Sequence, residues 1–400
     1  MVNSTRKPRK KKLIILVFIR HYLPGFQSGG PVRSVSNMVS QLSAEMNFHI
    51  ITSDRDYLGK SPYPGIENGW QRVEGAQVLY LSPDEQQWRN VLRQVEEVQP
   101  DLIYLNSFFD PVFSLPVLFG KWLRKEKMPP LICAPRGELA PGALKLKSLR
   151  KQVYLGIFKL AKLHQRICFH ATSELEQEQI HAKFPHKGRT ELAGNLAATP
   201  GSRSRGQGWA EKKAAQRLEI IFISRIHPKK NLDYILTCLE RCQFPARFSI
   251  YGPIDDAAYW QSCQQQMAQL PHQIEVFYGG ALPHDKVIPT LENADLFFLP
   301  THGENFGHII HEALQAGCVL LLSDQTPWTD LDQHHVGWDL PLKDPGRFVE
   351  ALEEVESWDA VRWREHETAV KQYATRTNDA GNNRQNHLNM FRKISVAGRH

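Results

Sequence analysis

Short apolar runs alternate with amphipathic stretches along most of the 400-residue chain. The runs have the length of buried strands, and Val32, Val35, Val39 and Leu42 recur at helical spacing in residues 32–46. This alternation is typical of α/β folds in which helices cover both faces of a parallel sheet. In the first half it predicts strands at residues 13–19, 48–54, 78–81, 102–106, 131–135 and 168–173.

A second alternating series begins after a segment rich in Gly, Ser and Arg at residues 197–209, which predicts a linker. It contains apolar runs at 218–225, 246–252, 274–280, 295–301 and 317–324, with helical stretches at 231–242 and 286–294. We therefore expect two Rossmann-like, doubly wound parallel-sheet domains that face a central cleft. The expected segments are a basic tail (1–12), a first domain (13–196), a linker (197–216), a second domain (217–376) and a C-terminal segment (377–400) that docks back on the first domain.

The net charge of +7 is concentrated in the tail "RKPRKKK" at residues 6–12. The apolar run that follows is far shorter than the roughly 20 residues that span a bilayer, so it is interpreted as a buried strand. The tail fits an anionic membrane surface, nucleic acid or plain solvation. Of these we expect peripheral contact with the inner face of the cell membrane and no nucleic acid. The six cysteines show no C-x-x-C pattern, which fits free cytosolic thiols and a cytoplasmic protein.

The motif "GENFGHIIHEAL" at residues 303–314 follows a predicted strand and places Glu304 and Glu312 eight residues apart. A helix N-terminus offers unpaired N–H groups for a phosphate, and Gly307 has no Cβ to block the approach. Two carboxylates that flank a phosphate indicate a nucleoside diphosphate sugar, with one carboxylate for the hexose and one for the ribose. The alternative to a ligand site is that Glu304 only complements the positive end of the helix dipole and that Glu312 is an exposed helix residue.

Upstream, "FISRIHPKKNLDYIL" places Arg225 after a strand, and Lys229 and Lys230 before a helix. Such cations neutralise a diphosphate, Arg by a bidentate fork and Lys as a point charge. A Lys–Lys pair taken alone usually lies on the solvated surface of a protein and binds no ligand.

Together, "SRIHPKKNLDYIL" and "ADLFFLPTHGENFGHIIHEALQAGCVLLLSD" resemble the retaining glycosyltransferases of family 4, within the glycosyl transferases group 1, over about residues 220–325. The resemblance implies the GT-B fold and a donor that is a nucleoside diphosphate sugar, without a cofactor or metal. It implies transfer of a hexose-type sugar to a glycan or lipid-linked acceptor in surface polysaccharide biosynthesis. It implies that Arg225 and Lys230 bind the donor diphosphate and that Glu304 contacts the transferred sugar. It also implies that Phe306 and Gly307 contact the sugar and phosphate through their backbone and that Glu312 binds the ribose.

In the first half, "YLPGFQSGGPVRSVSNMV" places Gly29 and Gly30 between a strand and a helix. In the resembled family this loop lies against the donor phosphate and the acceptor, so Gly29 and Gly30 are assigned to the donor and Arg33 to the acceptor side. The alternative is that the Gly–Gly pair only forms a tight turn. The stretch "CAPRGELAPGALKLKS" contains Arg136 and Glu138, which are assigned to the acceptor side. The alternative is that this stretch is a surface turn.

One position departs from the family. Many relatives carry a histidine after the fourth strand, whereas this chain reads "YLNSFFDP" with Asn106. An amide is not a general base at neutral pH, although it can hydrogen-bond a sugar, so Asn106 is assigned to the acceptor side. In this type of retaining transfer the leaving phosphate is thought to take the acceptor proton, so the departure is compatible with turnover.

Three other functions use a similar fold or the same pocket. A dehydrogenase predicts G-x-G-x-x-G after a strand, which is absent. A GT-B epimerase and a non-catalytic nucleotide-sugar-binding protein share the donor pocket and stay open. His308 and His311 share a helix face with Glu312 but do not form an H-E-x-x-H metal motif.

Overall fold

The computed structural model describes residues 12–124, 127–145, 148–184, 189–197, 217–377 and 380–397. The basic tail, apart from Lys12, and the linker, apart from Ala197, lie outside these ranges. The chain divides into two compact units. The first comprises Met1–Pro24, Ser34–Leu196 and Asn382–His400, and the second comprises Gly25–Arg33 and Ala197–Gly381.

The first unit contains an eight-stranded sheet of order β3-β4-β2-β1-β5-β6-β7-β8. All neighbouring strands are parallel except β3 and β4. The strands are β1 Leu13–Phe18, β2 Met46–Ser53, β3 Trp70–Val73, β4 Ala76–Leu81, β5 Leu102–Leu105, β6 Leu131–Cys133, β7 Cys168–Ala171 and β8 Arg189–Leu192.

Helices of this half lie between the strands in the chain. They are α1 Gly30–Leu42, α2 Trp88–Val98, α3 Ser114–Arg124, α4 Pro141–Lys145, α5 Ser148–Leu160 and α6 Glu174–Lys183. A C-terminal helix, α13 (Ala380–Ala397), also packs on the first unit. Its Phe391 ring lies 6.4 Å from the Phe48 ring and 5.9 Å from the Tyr104 ring.

The second unit contains a six-stranded, wholly parallel sheet. Its strands are β9 Leu218–Ile223, β10 Ala246–Tyr251, β11 Ile274–Tyr278, β12 Leu296–Leu299, β13 Val319–Ser323 and β14 Gly337–Leu340. Its helices are α7 Leu232–Leu239, α8 Ala257–Met267, α9 His284–Leu291, α10 His308–Gln315, α11 Pro345–Glu356 and α12 Ala360–Thr377. β12 and β13 are buried along their whole length, which explains their continuous apolar sequences.

The strand order β11-β10-β9-β12-β13-β14 corresponds to the 3-2-1-4-5-6 order of a doubly wound nucleotide-binding sheet. In such a sheet the strand order reverses between the first and fourth strands, and ligands bind beyond the carboxyl ends there. β9 and β12 are that pair. The segment with Arg225 and Lys230 follows β9, and the segment with Glu304 follows β12.

The predicted α/β fold with two parallel sheets is confirmed, while three short strands were not predicted. β3 (WQRV), β8 (RTEL) and β14 (GWDL) are edge strands with polar sequences. An edge strand has one solvated side and lacks the apolar run that marks a buried strand. The predicted helix over 32–46 instead ends at Leu42, because Met46 begins β2.

All six cysteines lie in the part of the chain that the structure describes, where they are buried and form no disulfide bond. Within the described ranges, no helix is both long enough and apolar enough to cross a membrane.

Candidate functional site

The loops that follow β9 and β12 meet at the carboxyl edge of the second sheet. The Lys230 ammonium forms an ion pair with the Glu304 carboxylate. The backbone supports this pair, since the Lys229 carbonyl accepts from His302 N–H at 2.9 Å and from the Thr301 hydroxyl at 3.1 Å. The two charges predicted to face the donor are therefore held side by side.

A short turn places Lys230. Residues Pro228–Lys230 form a 3-10 turn that is capped by the His227 side chain, whose Nδ1 accepts from Lys229 N–H at 3.0 Å. Asn231 follows in the left-handed conformation with φ 62°, which small polar residues such as Asn tolerate. This turn directs the chain into α7 and leaves Lys230 against the loop after β12.

Lys230 and Glu304 are mostly shielded from water, with 12% and 17% of their side chains exposed. A charge in such a place needs a partner, because desolvation of an unpaired ion costs several kcal/mol. Each of the two is the other's partner. An ammonium has three donors, so Lys230 can bind a phosphate oxygen while it keeps Glu304.

Arg225 lies on the same loop and is oriented by an acid that the sequence did not single out. Its Nη1 donates to Asp255 Oδ2 at 2.8 Å. Asp255 follows β10, and Ile226 and Ile254 form a bridge that ties the two loops together. Asp255 is 11% exposed and Arg225 40% exposed, so the buried carboxylate holds a guanidinium that reaches solvent.

The Phe306–Gly307 loop has a second supporting residue that sequence reasoning missed. Trp328 Nε1 donates to the Phe306 carbonyl at 2.7 Å, and its ring lies 6.3 Å from the Phe306 ring. Phe306 also lies 4.7 Å from the His308 ring. A tryptophan 22 residues downstream gives no motif-level signal.

Gly307 is the N-cap of α10 and has φ 76°, in the left-handed region. Its carbonyl accepts from Ile310 N–H at 2.9 Å, which starts the helix. A Cβ at this position would lie 2.6 Å from Ile310 Cδ1. The backbone conformation and the contact with Ile310 therefore both require glycine at this position.

Gly307→Ala should lower the free energy of unfolding of the second unit by about 1–3 kcal/mol, from left-handed strain and the clash with Ile310. Thermal unfolding measures it. Gly381→Ala is the matched control, since that glycine has no heavy atom within 4 Å of the added Cβ and no positive φ. Equal stability of the two variants would contradict the strain at Gly307.

Glu312 lies on α10 and is buried, with 5% of its surface exposed. Its carboxylate pairs with Arg33, from the segment Gly25–Arg33 that groups with the second unit. Burial raises the pKa of Glu312, and Arg33 opposes this rise. The sequence assigned Arg33 to the acceptor side and Glu312 to the donor, whereas the structure pairs them.

Two histidines nearby are neutral. Burial lowers the pKa of His311 to about 4, and burial together with the Arg33 charge lowers the pKa of His284 to about 4. At neutral pH neither histidine therefore adds a positive charge beside the pair of Arg33 and Glu312. Within the described residues no group of three or more His, Cys, Asp or Glu side chains is placed to hold a metal ion.

Gly29 and Gly30 lie just before Arg33, at the start of α1. Gly29 has φ 69°, and its carbonyl accepts from Arg33 N–H at 3.4 Å. A Cβ at either glycine would meet no atom within 4 Å, so open space adjoins this turn. Their assignment to the donor stays a prediction.

In the first unit, Arg136 joins the ends of several strands. It donates through Nε to Asn106 Oδ1 at 2.8 Å, through Nη1 to Asn195 Oδ1 at 2.5 Å and through Nη2 to the Tyr104 hydroxyl at 2.8 Å. The Tyr104 hydroxyl also lies 2.8 Å from His170 Nδ1. Two predicted acceptor-side residues, Asn106 and Arg136, are therefore bonded to each other in a buried network.

Glu138 has a structural set of partners. Its carboxylate accepts from Ser107 Oγ at 2.7 Å, from Phe108 N–H at 2.6 Å and from Phe109 N–H at 3.1 Å. Burial raises its pKa against these hydrogen bonds. It fixes the loop that follows β5, which is the loop of Asn106.

Comparisons with known proteins identify a related family and related folds. Residues 207–377 match the family model for glycosyl transferases group 1. A comparison with curated proteins finds no match.

Solved structures match almost the whole chain. Anabaena HepE in complex with UDP and glucose has a TM-score of 0.70 at 15% identity and covers 95% of this chain and 100% of its own. Sucrose-phosphate synthase from Thermosynechococcus elongatus has a TM-score of 0.71 at 15% identity, covering 96% and 100%. WaaG, a glycosyltransferase involved in lipopolysaccharide biosynthesis, has a TM-score of 0.65 at 13% identity, covering 94% and 99%. The chain therefore has the GT-B fold, and its second half carries the match to the glycosyl transferases group 1.

Proposed function

We propose that the protein is a retaining glycosyltransferase that transfers a hexose-type sugar from a nucleoside diphosphate sugar to a glycan or lipid-linked acceptor in surface polysaccharide biosynthesis. The observation that carries this proposal is the Lys230–Glu304 pair at the carboxyl ends of β9 and β12. One cation for a diphosphate and one carboxylate for sugar hydroxyls stand side by side where a doubly wound sheet binds its ligand.

The relatives support the choice of donor and pathway. HepE was solved with UDP and glucose, and also with UDP-glucose. WaaG is involved in lipopolysaccharide biosynthesis. Complexes with UDP and UDP-glucose support a nucleotide sugar donor, and the involvement of WaaG in lipopolysaccharide biosynthesis supports a role in surface polysaccharide biosynthesis.

The roles follow from charge and position. Lys230 and Arg225 bind the diphosphate and stabilise the charge that grows on it as the sugar leaves. Glu304 accepts hydrogen bonds from hydroxyls of the transferred sugar, and Glu312 accepts from the ribose. The N–H groups at the start of α10 bind phosphate, because the first turn of a helix has no internal acceptors for them.

In the proposed reaction the bond from the sugar C1 to the phosphate oxygen breaks. A bond from C1 to the acceptor oxygen forms on the same face of the ring. The acceptor proton passes to the leaving phosphate, so no protein base is required. This agrees with Asn106 at the position where many relatives have histidine, since an amide does not take a proton at neutral pH.

The first test is thermal unfolding of the wild type and of Glu312→Ala with UDP, GDP, ADP, dTDP and their sugar conjugates. A ligand at 100 times its Kd stabilises by about 2.7 kcal/mol, and a domain of this size shifts by about 2–4 °C per kcal/mol. We expect one nucleotide to raise the Tm of the wild type by roughly 5–10 °C. Glu312→Ala should lose most of that shift.

The matched control is Glu350→Ala, which removes an exposed helical glutamate from the same unit. It should keep the full shift. Absence of a shift with every nucleotide, or an equal shift in Glu312→Ala, would contradict the donor site.

Turnover is tested by nucleotide release with and without acceptor glycans, and the anomeric configuration of the product by NMR. Release that depends on acceptor, with retained configuration, is the expected result. Conversion of the donor without acceptor would instead identify an epimerase, and donor binding without any turnover a binding protein.

A further inference from the structure

Helix α5 (Ser148–Leu160) is apolar on two opposite sides. Leu155 and Phe158 point inward, with 8% and 1% of their surfaces exposed. A single apolar side is enough to pack a helix on its domain. The second apolar side therefore needs another explanation.

That second side is a row of four large aliphatic residues spaced four, four and three apart. At 100° per residue they lie on one side of the helix, about 150° from the buried pair. The row consists of Leu149 (74% exposed), Val153 (54%), Ile157 (61%) and Leu160 (84%). Single exposed aliphatic residues are ordinary, but a contiguous row marks an interaction surface.

The charged residues of the segment that carries this row have one sign. Residues 141–166 contain seven Lys or Arg and no Asp or Glu. Arg150, Lys159 and Lys162 are exposed beside the row. The partner that covers it therefore combines apolar material with negative charge.

A second apolar patch adjoins the end of the helix. Arg166 Nη1 donates to the Trp122 carbonyl at 3.2 Å, which places the C-terminus of α3 beside the segment after α5. Trp88, Phe119 and Trp122 are exposed there, and successive rings lie 5.6 and 5.5 Å apart. Tryptophan is enriched at membrane–water interfaces, where its ring is partly apolar and its N–H is hydrated.

We propose that the outward face of α5, defined by Leu149, Val153, Ile157 and Leu160 with their flanking basic residues, docks the protein on an anionic lipid bilayer. The helix lies in the plane of the interface, with its aliphatic row among the acyl chains and its Lys and Arg side chains at the lipid phosphates. A second copy of the chain is a poorer occupant, because a two-fold contact would place the same basic residues against each other. The inference does not rest on the proposed activity, since it concerns binding without substrate.

The experiment is flotation of the purified full-length protein with two kinds of vesicle. One kind is phosphatidylcholine alone, and the other is equal parts phosphatidylcholine and phosphatidylglycerol. We expect binding to the anionic vesicles and little to the neutral ones. Ile157→Gln/Leu160→Gln should weaken that binding by about tenfold or more, and Arg150→Gln/Lys162→Gln by about tenfold or more, from about fivefold per charge.

Matched controls separate this face from the rest of the surface. Leu175→Gln/Val361→Gln removes equally exposed aliphatic residues elsewhere, and Lys343→Gln an exposed charge elsewhere. Lys10→Gln/Lys11→Gln removes charges from the basic tail. The Leu175→Gln/Val361→Gln and Lys343→Gln variants should bind like the wild type. When the tail substitutions are present, adding Ile157→Gln/Leu160→Gln should still weaken binding.

Three results would overturn the proposal. The wild type could fail to float with anionic vesicles. The α5 variants could bind as the wild type does while the tail variant loses binding. Or light scattering could show a wild-type dimer that Ile157→Gln/Leu160→Gln converts to a monomer, which would assign the face to a second copy.

Discussion

Lys230→Ala should lower kcat by about 10²–10³-fold, because it removes a fixed positive charge from the place where charge grows on the leaving diphosphate. Donor KM should rise as well, since the same ammonium binds the ground state. Glu304 would also lose its ion-pair partner in a place where it is 17% exposed. The measurement is nucleotide release under saturating and limiting donor.

Lys286→Ala is the control for this prediction, because it removes an exposed lysine from the same unit. Glu304→Ala should mainly lower kcat, because the proposed hydrogen bonds of Glu304 are to hydroxyls of the transferred sugar. The double variant Lys230→Ala/Glu304→Ala should lose less than the product of the two single losses, because the two groups form one unit. A kcat of Lys230→Ala within a few-fold of the wild type, in a folded protein, would remove Lys230 from the chemistry.

Arg136→Ala should lower the free energy of unfolding of the first unit by about 3 kcal/mol or more. The variant leaves three buried acceptors without their donor, namely Tyr104, Asn106 and Asn195, which are 0%, 4% and 6% exposed. Thermal unfolding should show a Tm lower by roughly 6–12 °C.

Arg89→Ala, at an exposed position of α2, is the control and should change stability by less than about 0.5 kcal/mol. Arg136→Lys should lose most of the same stability, because an ammonium does not reproduce three bonds in a planar fork. If Arg136→Ala unfolds like the wild type but has a raised KM for the acceptor, the residue binds the acceptor and has no structural role.

The sequence predicted the second unit well because its information is local. The motif 303–314 contains a loop and the helix after it, so Glu304, Gly307 and Glu312 are positioned by one stretch of chain. The motif at 222–236 does the same for Arg225 and Lys230. Parallel strand order then brings the two stretches together, and this follows from the doubly wound pattern.

Contacts between distant residues were not predictable from pattern. Arg33 and Glu312 are 279 positions apart, and neither residue alone indicates the other. Asp255 and Trp328 lie in loops without a motif, although they orient Arg225 and Phe306. Arg136 was recognised as a loop cation, but its hydrogen-bond partners depend on how β5, β6 and the segment after β8 align.

The ion pairs of the second unit limit how strongly it would attract a diphosphate. Lys230 is paired with Glu304, Arg225 with Asp255 and Arg33 with Glu312, so each cation has its own acid. In the proposed reaction Lys230 keeps Glu304 while its other donors bind the diphosphate. A diphosphate would then meet less net positive charge than three unpaired cations present, which favours release of the product nucleotide over tight retention.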